Sequence, residues 1–195
     1  MLLINDFYVP LPKSIAMEVL TDVALIAPCI PGVAITETTD NKSYKGEATV
    51  RLGPVKLVFS GTGEIIEIND EKHEVRVKAS GSDKKGRGGA EATVFFKLVD
   101  VEEAGSNRTN TRVEVKTNLN LNGAIAQYGR ASGLIESVAI ELTKEFAQNL
   151  EKVLTMEDGD TLNADEISGL KLLMKAGVRK LRLGGNKIKN ETSTL

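Results

Sequence analysis

The sequence predicts an α+β fold in which a curved antiparallel sheet of about seven strands wraps around a long C-terminal helix, with two short helices after the first strand. Three observations predict it. The apolar residues between Ile125 and Leu154 step by three, four or seven and so share one helical face. Roughly a hundred residues ahead of that run alternate with period two, interrupted by turn residues at short intervals, as in a meander of hairpins. A single strand-like stretch stands before the prolines near the N-terminus.

Taken in order, residues 3–9 alternate and stop at Pro10, after which Pro12 suits the opening turn of a helix. Residues 13–20 then present Ile15, Val19 and Leu20 to a core, and a second short helix, 22–27, ends at Pro28. Cys29-Ile30-Pro31-Gly32 is a rigid turn, because Pro28 and Pro31 fix their own φ and push the residues before them toward extended backbone. Strands are expected at 33–38, 43–51, 55–69, 74–83, 90–101 and 109–121, with turns at Asp40-Asn41, Gly53-Pro54, Asp70-Glu71-Lys72, 84–89 and Gly105-Ser106-Asn107. Gly61 and Gly63 lose packing inside the longest strand and permit it to bend. The closing helix turns Ile125, Tyr128, Ile135, Val138, Leu142, Phe146, Leu150 and Val153 inward and Glu136, Glu141, Lys144, Glu145, Glu151 and Lys152 outward. Strand, two short helices, six antiparallel strands and a long helix is the layout of the START-like, or helix-grip, fold.

With 195 residues, 41% hydrophobic and 27% charged, the chain can bury one substantial core and carry an appendage. The expected organisation is a ligand-binding domain over 1–154, an acidic linker over 155–166 and a basic amphipathic tail over 167–195. No apolar stretch approaches the roughly eighteen residues of a membrane span, and the N-terminus opens in a strand pattern rather than a signal-type segment, so a cytoplasmic location is expected. Cys29 alone makes no internal disulfide and no metal cluster, and reads as a buried, inert thiol. A net charge of −2, 4% aromatics and no Trp disfavour nucleic acid.

A curved sheet and a helix rarely touch along their whole length, so a cavity is expected between them. Val58, Phe59, Val94, Phe95, Leu119 and Leu121 would line it from the sheet, and Tyr128, Ile135, Val138 and Leu142 from the helix. The candidate ligand contacts are Phe59, Phe95, Leu119, Tyr128, Ile135, Val138 and Leu142; the opposing reading is that these side chains interlock in a dry core. Gly123, Gly129, Ala131, Ser132 and Gly133 make the helix entrance small and weakly helical, a candidate mouth, where the Tyr128 hydroxyl would orient an otherwise apolar ligand.

The inventory of catalytic groups is thin. His73 falls in a hairpin turn among charged residues and is expected in solvent, and one histidine with one distant cysteine makes no recognisable metal set. Glu64 and Glu67 differ in strand parity and are expected on opposite faces. The loop Asp83-Lys84-Lys85-Gly86-Arg87-Gly88-Gly89 offers glycine amides and three cations, which could cradle a phosphate or acidic partner, but lacks strand-loop-helix context, so a solvated hairpin is the favoured reading.

The tail is a separate physical object. Glu157, Asp158, Asp160, Asp165 and Glu166 mark the linker, and 167–183 is a candidate helix ended by Gly184-Gly185. From Ile167 to Lys189 there are seven basic residues and no acid. Leu170, Met174, Val178 and Leu181 form an apolar stripe flanked by Lys171, Lys175, Arg179 and Arg182, the pattern of an interfacial anchor or a docking helix for an acidic partner. Each cation near an anionic leaflet contributes about 1 kcal/mol. The same stripe would also serve a homodimer or fold back on its own domain.

Val9-Pro10 with Pro12, Ile30-Pro31-Gly32, Leu52-Gly53-Pro54-Val55, Gly88-Gly89-Ala90 with Ala92, and the closing pattern from Gly133 to Leu150 are individually common. In this order and spacing they resemble the family of the carbon monoxide dehydrogenase subunit CoxG over roughly residues 1–154. The resemblance implies an accessory protein rather than a catalyst, without a cofactor of its own. It implies an internal cavity for a lipid or quinone, a molybdenum hydroxylase as partner, and help in attaching that enzyme to the inner face of the membrane. Two other readings compete: a START-like cyclase or hydrolase acting on a hydrophobic small molecule, and a pure protein-interaction module with a filled core.

Overall fold

A computed structural model describes residues 1–39, 43–102, 109–129 and 132–155. The elements run β1 (Leu2–Val9), α1 (Lys13–Thr21), α2 (Val23–Ile26), β2 (Val33–Thr38), β3 (Ser43–Leu52), β4 (Val55–Asn69), β5 (Glu74–Asp83), β6 (Gly89–Glu102), β7 (Thr109–Leu121), α3 (Ala126–Gly129) and α4 (Ser132–Thr155). Single 3-10 turns, Ala27–Cys29 and Gly123–Ile125, follow α2 and precede α3. The seven strands form one antiparallel sheet ordered β1-β7-β6-β5-β4-β3-β2, which is the helix-grip arrangement. The expectations for residues 156–195, including Leu170, Lys171, Met174, Lys175, Val178, Arg179, Leu181 and Arg182, lie outside the described residues. No helix among the described residues is long and apolar enough to cross a membrane.

Pairing register decides which residues face inward. Leu3, Phe7 and Val9 of β1 stand opposite Thr117, Val113 and Thr111 of β7, and the inward parity then passes through Leu98, Val75 and Leu57, all nearly fully buried. Two bulges, at Ile35/Glu37 and Ile65/Glu67, interrupt the register and sharpen the local twist. The second one corrects a reading from parity. The extra residue places Glu64 opposite Lys78 and Glu67 opposite Arg76, so both glutamates share the outer face, and Arg76 Nε bonds Glu67 Oε2 at 3.3 Å. His73 is half-buried rather than fully in solvent and takes φ 53°, while its carbonyl accepts from the Leu98 amide at 3.0 Å.

The long helix lies across one half of the concave face. Phe146 meets Phe7 edge-on, ring centroids 5.4 Å apart, and Leu150 is 1% exposed. Asn149 Nδ2 donates to the Cys29 carbonyl at 3.2 Å, tying α4 to the turn after α2. Cys29 itself is buried, which pushes its thiol up. At the other end of α4, Ile135 joins Leu3, Leu52, Leu57 and Ile125 in a buried cluster. Each large side chain so removed from water contributes about 1.5–3 kcal/mol. Of the helix expected from Ile125, α3 and α4 are described on either side of residues 130 and 131, which lie outside the described residues, and Ile125 itself closes a 3-10 turn. Gly129 and Gly133 flank those residues, and glycine disfavours helix by about 1 kcal/mol relative to alanine.

The loop between β5 and β6 keeps Lys84, Lys85 and Gly86 exposed, as expected of a solvated hairpin, and its amides close on an anion of its own. Asp83 is buried, and Arg87 grips both of its oxygens, Nε to Oδ2 and Nη2 to Oδ1, each at 2.7 Å. The amides of Lys85 and Arg87 also donate to Oδ2, and the Val58 amide to Oδ1. Arg87 Nη2 reaches on to the Lys56 carbonyl at 3.0 Å, and the Arg87 carbonyl accepts from the Ile125 amide at 3.2 Å. One charge pair thus joins β4, β5 and the entrance to α3. Gly88, at φ 138°, lies so close to the Asn122 carbonyl that a methyl there would overlap it.

The Arg87 guanidinium holds the Asp83 carboxyl far below the usual carboxylate range. A group whose folded pKa is depressed stabilises fully above its unfolded pKa, ordinarily 3.8 for this side chain, and that stability is lost as pH falls below it. Asp83→Asn is therefore expected to lower the urea midpoint at pH 7, and the gap from wild type should narrow as the pH is taken below the carboxylate range. A gap independent of pH in urea titrations would show that the charge pair does not stabilise the fold.

Candidate functional site

On the concave face, successive rows of the sheet lose their side chains. One row runs Ile35, Gly46, Gly61, Gly81, Ala90 across β2 to β6, and the next runs Tyr44, Gly63, Ala79, Ala92 across β3 to β6. At Gly61 a methyl would overlap the Ser80 carbonyl oxygen, and at Gly46 it would approach the Ala34 carbonyl oxygen at 2.5 Å. Glycine at these two positions lets neighbouring backbones close together, and the sheet curls there. Gly63 differs: a methyl on it would meet nothing within 4 Å.

Above this floor is a cavity of about 360 Å³, within the size range of small-molecule sites. Its roof is the short-helix segment, with Leu20 of α1, Val23 and Ile26 of α2, and Ala27 and Ile30 after them; Val33 and Ile35 of β2 close one side. Phe59 stands at one end, and Ile65, Val77 and Phe96 at the other. The surface is nearly all apolar. Three charged residues border it, Lys45, Glu47 and Glu64, but they stand on the opposite parity from Tyr44, Gly46 and Gly63. Lys45 pairs with Glu37 at 3.1 Å and Glu47 pairs with Lys84. Among the described lining residues, Tyr44 is the titratable side chain on the inward parity.

The cavity lies under α1 and α2, not under the long helix. Of the seven residues expected to contact a ligand, Phe59 lines it. Leu119, Tyr128, Ile135 and Val138 are brought together with Phe59, but in the packed cluster around Leu52, Leu57 and Ile125. Leu142 is half-buried on α4 and does not border the cavity. Phe95 is corrected to Phe96: the register sets Phe96 opposite inward Val75 and Phe95 opposite outward Arg76, whose guanidinium carbon lies 6.0 Å from the Phe95 ring centroid. The residues that sequence reasoning missed are the roof and the small-residue floor. Their signal was present, since Gly46, Gly61, Gly63, Ala79, Gly81, Ala90 and Ala92 each follow the period of two. No group of three or more His, Cys, Asp or Glu among the described residues converges as a metal site.

A curved antiparallel sheet closed by short helices on one half and a long C-terminal helix on the other, with an apolar cavity inside, is the START-like, helix-grip fold. The family model for the carbon monoxide dehydrogenase subunit CoxG matches residues 6–155, and the chain belongs to that family. No curated protein matches it. Among solved structures the chain is similar to a conserved protein from Geobacillus kaustophilus, at 15% identity and a TM-score of 0.62 over 78% of this chain and 96% of that one. It is also similar to the Zhui aromatase/cyclase from Streptomyces sp. R1128, at 11% identity and a TM-score of 0.54 over 83% of this chain and 99% of that one. Truncated norcoclaurine synthase from Thalictrum flavum matches at 11% identity and a TM-score of 0.50, over 81% and 95% of the two chains. At these identities the likeness shows the fold.

The two central glycines are expected to respond oppositely to the same substitution. Gly61→Ala should destabilise by about 1–3 kcal/mol, since the methyl forces backbone apart, whereas Gly63→Ala should be neutral or stabilising by up to about 1 kcal/mol, through a stiffer unfolded chain. Urea unfolding of the pair checks this; equal losses would mean that the floor at Gly63 is packed rather than open.

Proposed function

We propose that this protein is a non-catalytic accessory factor that holds a neutral, apolar small molecule, lipid- or quinone-like, beneath α1 and α2. Through its basic tail it brings a molybdenum hydroxylase to the inner face of the membrane. The observation that carries the reading is the floor of glycine and alanine across four strands, which leaves an apolar space where bulky side chains would otherwise fill the fold. Membership of the CoxG family supports the partner. The stripe of Leu170, Met174, Val178 and Leu181 beside Lys171, Lys175, Arg179 and Arg182 supports the membrane contact.

A second reading, chemistry on an apolar substrate, draws on the likeness to an aromatase/cyclase and on Tyr44, whose row borders the cavity. The surface of the space is nearly all apolar, so binding is the better use of the site.

Native mass spectrometry followed by solvent extraction is expected to find a stoichiometric neutral lipid or isoprenoid quinone on the purified protein. Gly63→Val, which puts a branched side chain into the open space, should cut uptake of added quinone at least about tenfold, the cost of roughly 1.4 kcal/mol, with the circular dichroism unchanged. A clean apo mass with no uptake by wild type would refute the carrier reading. For the tail, changing Lys171, Lys175, Arg179 and Arg182 together to Glu is expected to abolish flotation with anionic liposomes, and undiminished flotation would remove the membrane role.

A further inference from the structure

We propose that Phe59 is the partition that ends the cavity, and so sets the longest ligand the protein accepts; this rests on reading the cavity as a ligand site. The residues lining the cavity and those packed in the cluster around Leu57 and Ile125 have one member in common among the described residues, and it is Phe59. Along β4 the change from core to cavity happens at this position. Leu57, two residues earlier, is 1% exposed and belongs to the cluster, whereas Gly61, two residues later, borders the cavity.

The neighbours of Phe59 in its row cannot take over its role. They are Ala48 on β3 and Asp83 on β5; the first is a methyl, and the second is turned to Arg87 by two hydrogen bonds of 2.7 Å. The ring is therefore what divides the cavity from the packed cluster at this row. The backbone beside it is held in place, since the Val58 amide donates to Asp83 Oδ1 and the Lys84 amide donates to the Val58 carbonyl at 2.8 Å. Beyond the ring are Leu119, Leu121 and Tyr128, partly buried and packed against the cluster. Shortening Phe59 extends the cavity by the volume of the ring toward Leu119 and Leu121, while Asp83 beside it stays paired with Arg87.

The test measures where an alkyl ligand stops gaining affinity. Normal alkanols of graded length compete with N-phenyl-1-naphthylamine for the full-length protein. In wild type, affinity is expected to rise about fourfold per methylene to a break and then level off. In Phe59→Ala the break should move to longer chains, so that an alkanol two methylenes past the wild-type break binds the variant more than about tenfold tighter than it binds wild type. Phe59→Leu should move it less and in the same direction, and it decides the matter should Phe59→Ala lose its sheet signal in circular dichroism. A break at the wild-type length in folded variants that still bind overturns the partition alone. Failure of wild type to take up any of the series overturns the ligand-site reading and the partition with it.

Discussion

Where Gly46, Gly61 and Gly81 stand abreast on three strands, backbone presses on backbone, and the rest of the molecule is arranged around that approach. A methyl at Gly61 would overlap the Ser80 carbonyl, so the strands come together only because no side chain stands between them. The same absence has two effects. It lets the middle of the sheet curl, and it leaves the concave side of the curl without the bulk that would fill it. Curvature and vacancy have one cause, which is why they occur at the same place.

The two halves of the concave face are then covered in different ways. On the β1-β7 side, Phe7, Leu3 and Ile125 meet a full-length helix, and large side chains interlock as they do in any protein interior. On the β2-β5 side the cover is two short helices and a 3-10 turn held by prolines, and the side chains beneath are small. The Asp83–Arg87 pair lies at the seam between the halves. It fastens β4 to β5 on one side and to the approach of α3 on the other, so the packed half can be rigid while the neighbouring space stays open. A bidentate pair with its remaining lone pairs bonded to amides is the geometry in which a buried charge is compensated.

Much of the fold was legible in the sequence, because period two and period 3.6 do not imitate each other over long runs. β4, from Val55 to Asn69, could be placed to the residue. The site was harder to read for particular reasons. Residues 93–97, Thr-Val-Phe-Phe-Lys, put aromatics on both parities, so nothing local says whether Phe95 or Phe96 turns inward; only pairing with Arg76 and Val75 decides it. The bulge after Ile65 reverses the parity of everything behind it, which brought Glu67 to the same face as Glu64. The anion bound by the Lys85 and Arg87 amides is contributed by Asp83, a residue that reads from sequence as one more charge in a charged loop. The long amphipathic stripe on α4 drew attention to the other half of the sheet: a helix with a broad apolar face fills space, whereas this cavity lies where apolar bulk is missing.

An unfilled space inside a folded domain links occupancy to how long the fold lasts. A ligand that binds the folded chain and not the unfolded one adds about 2.7 kcal/mol at a hundredfold excess over its Kd, against a total margin of about 5–15 kcal/mol for ordinary domains. Loaded and empty copies then differ by about a hundredfold in the fraction transiently unfolded, which is the fraction that proteases see. Occupancy of the 360 Å³ beneath the short helices, under the proposed carrier role, would thus be read out as protein lifetime.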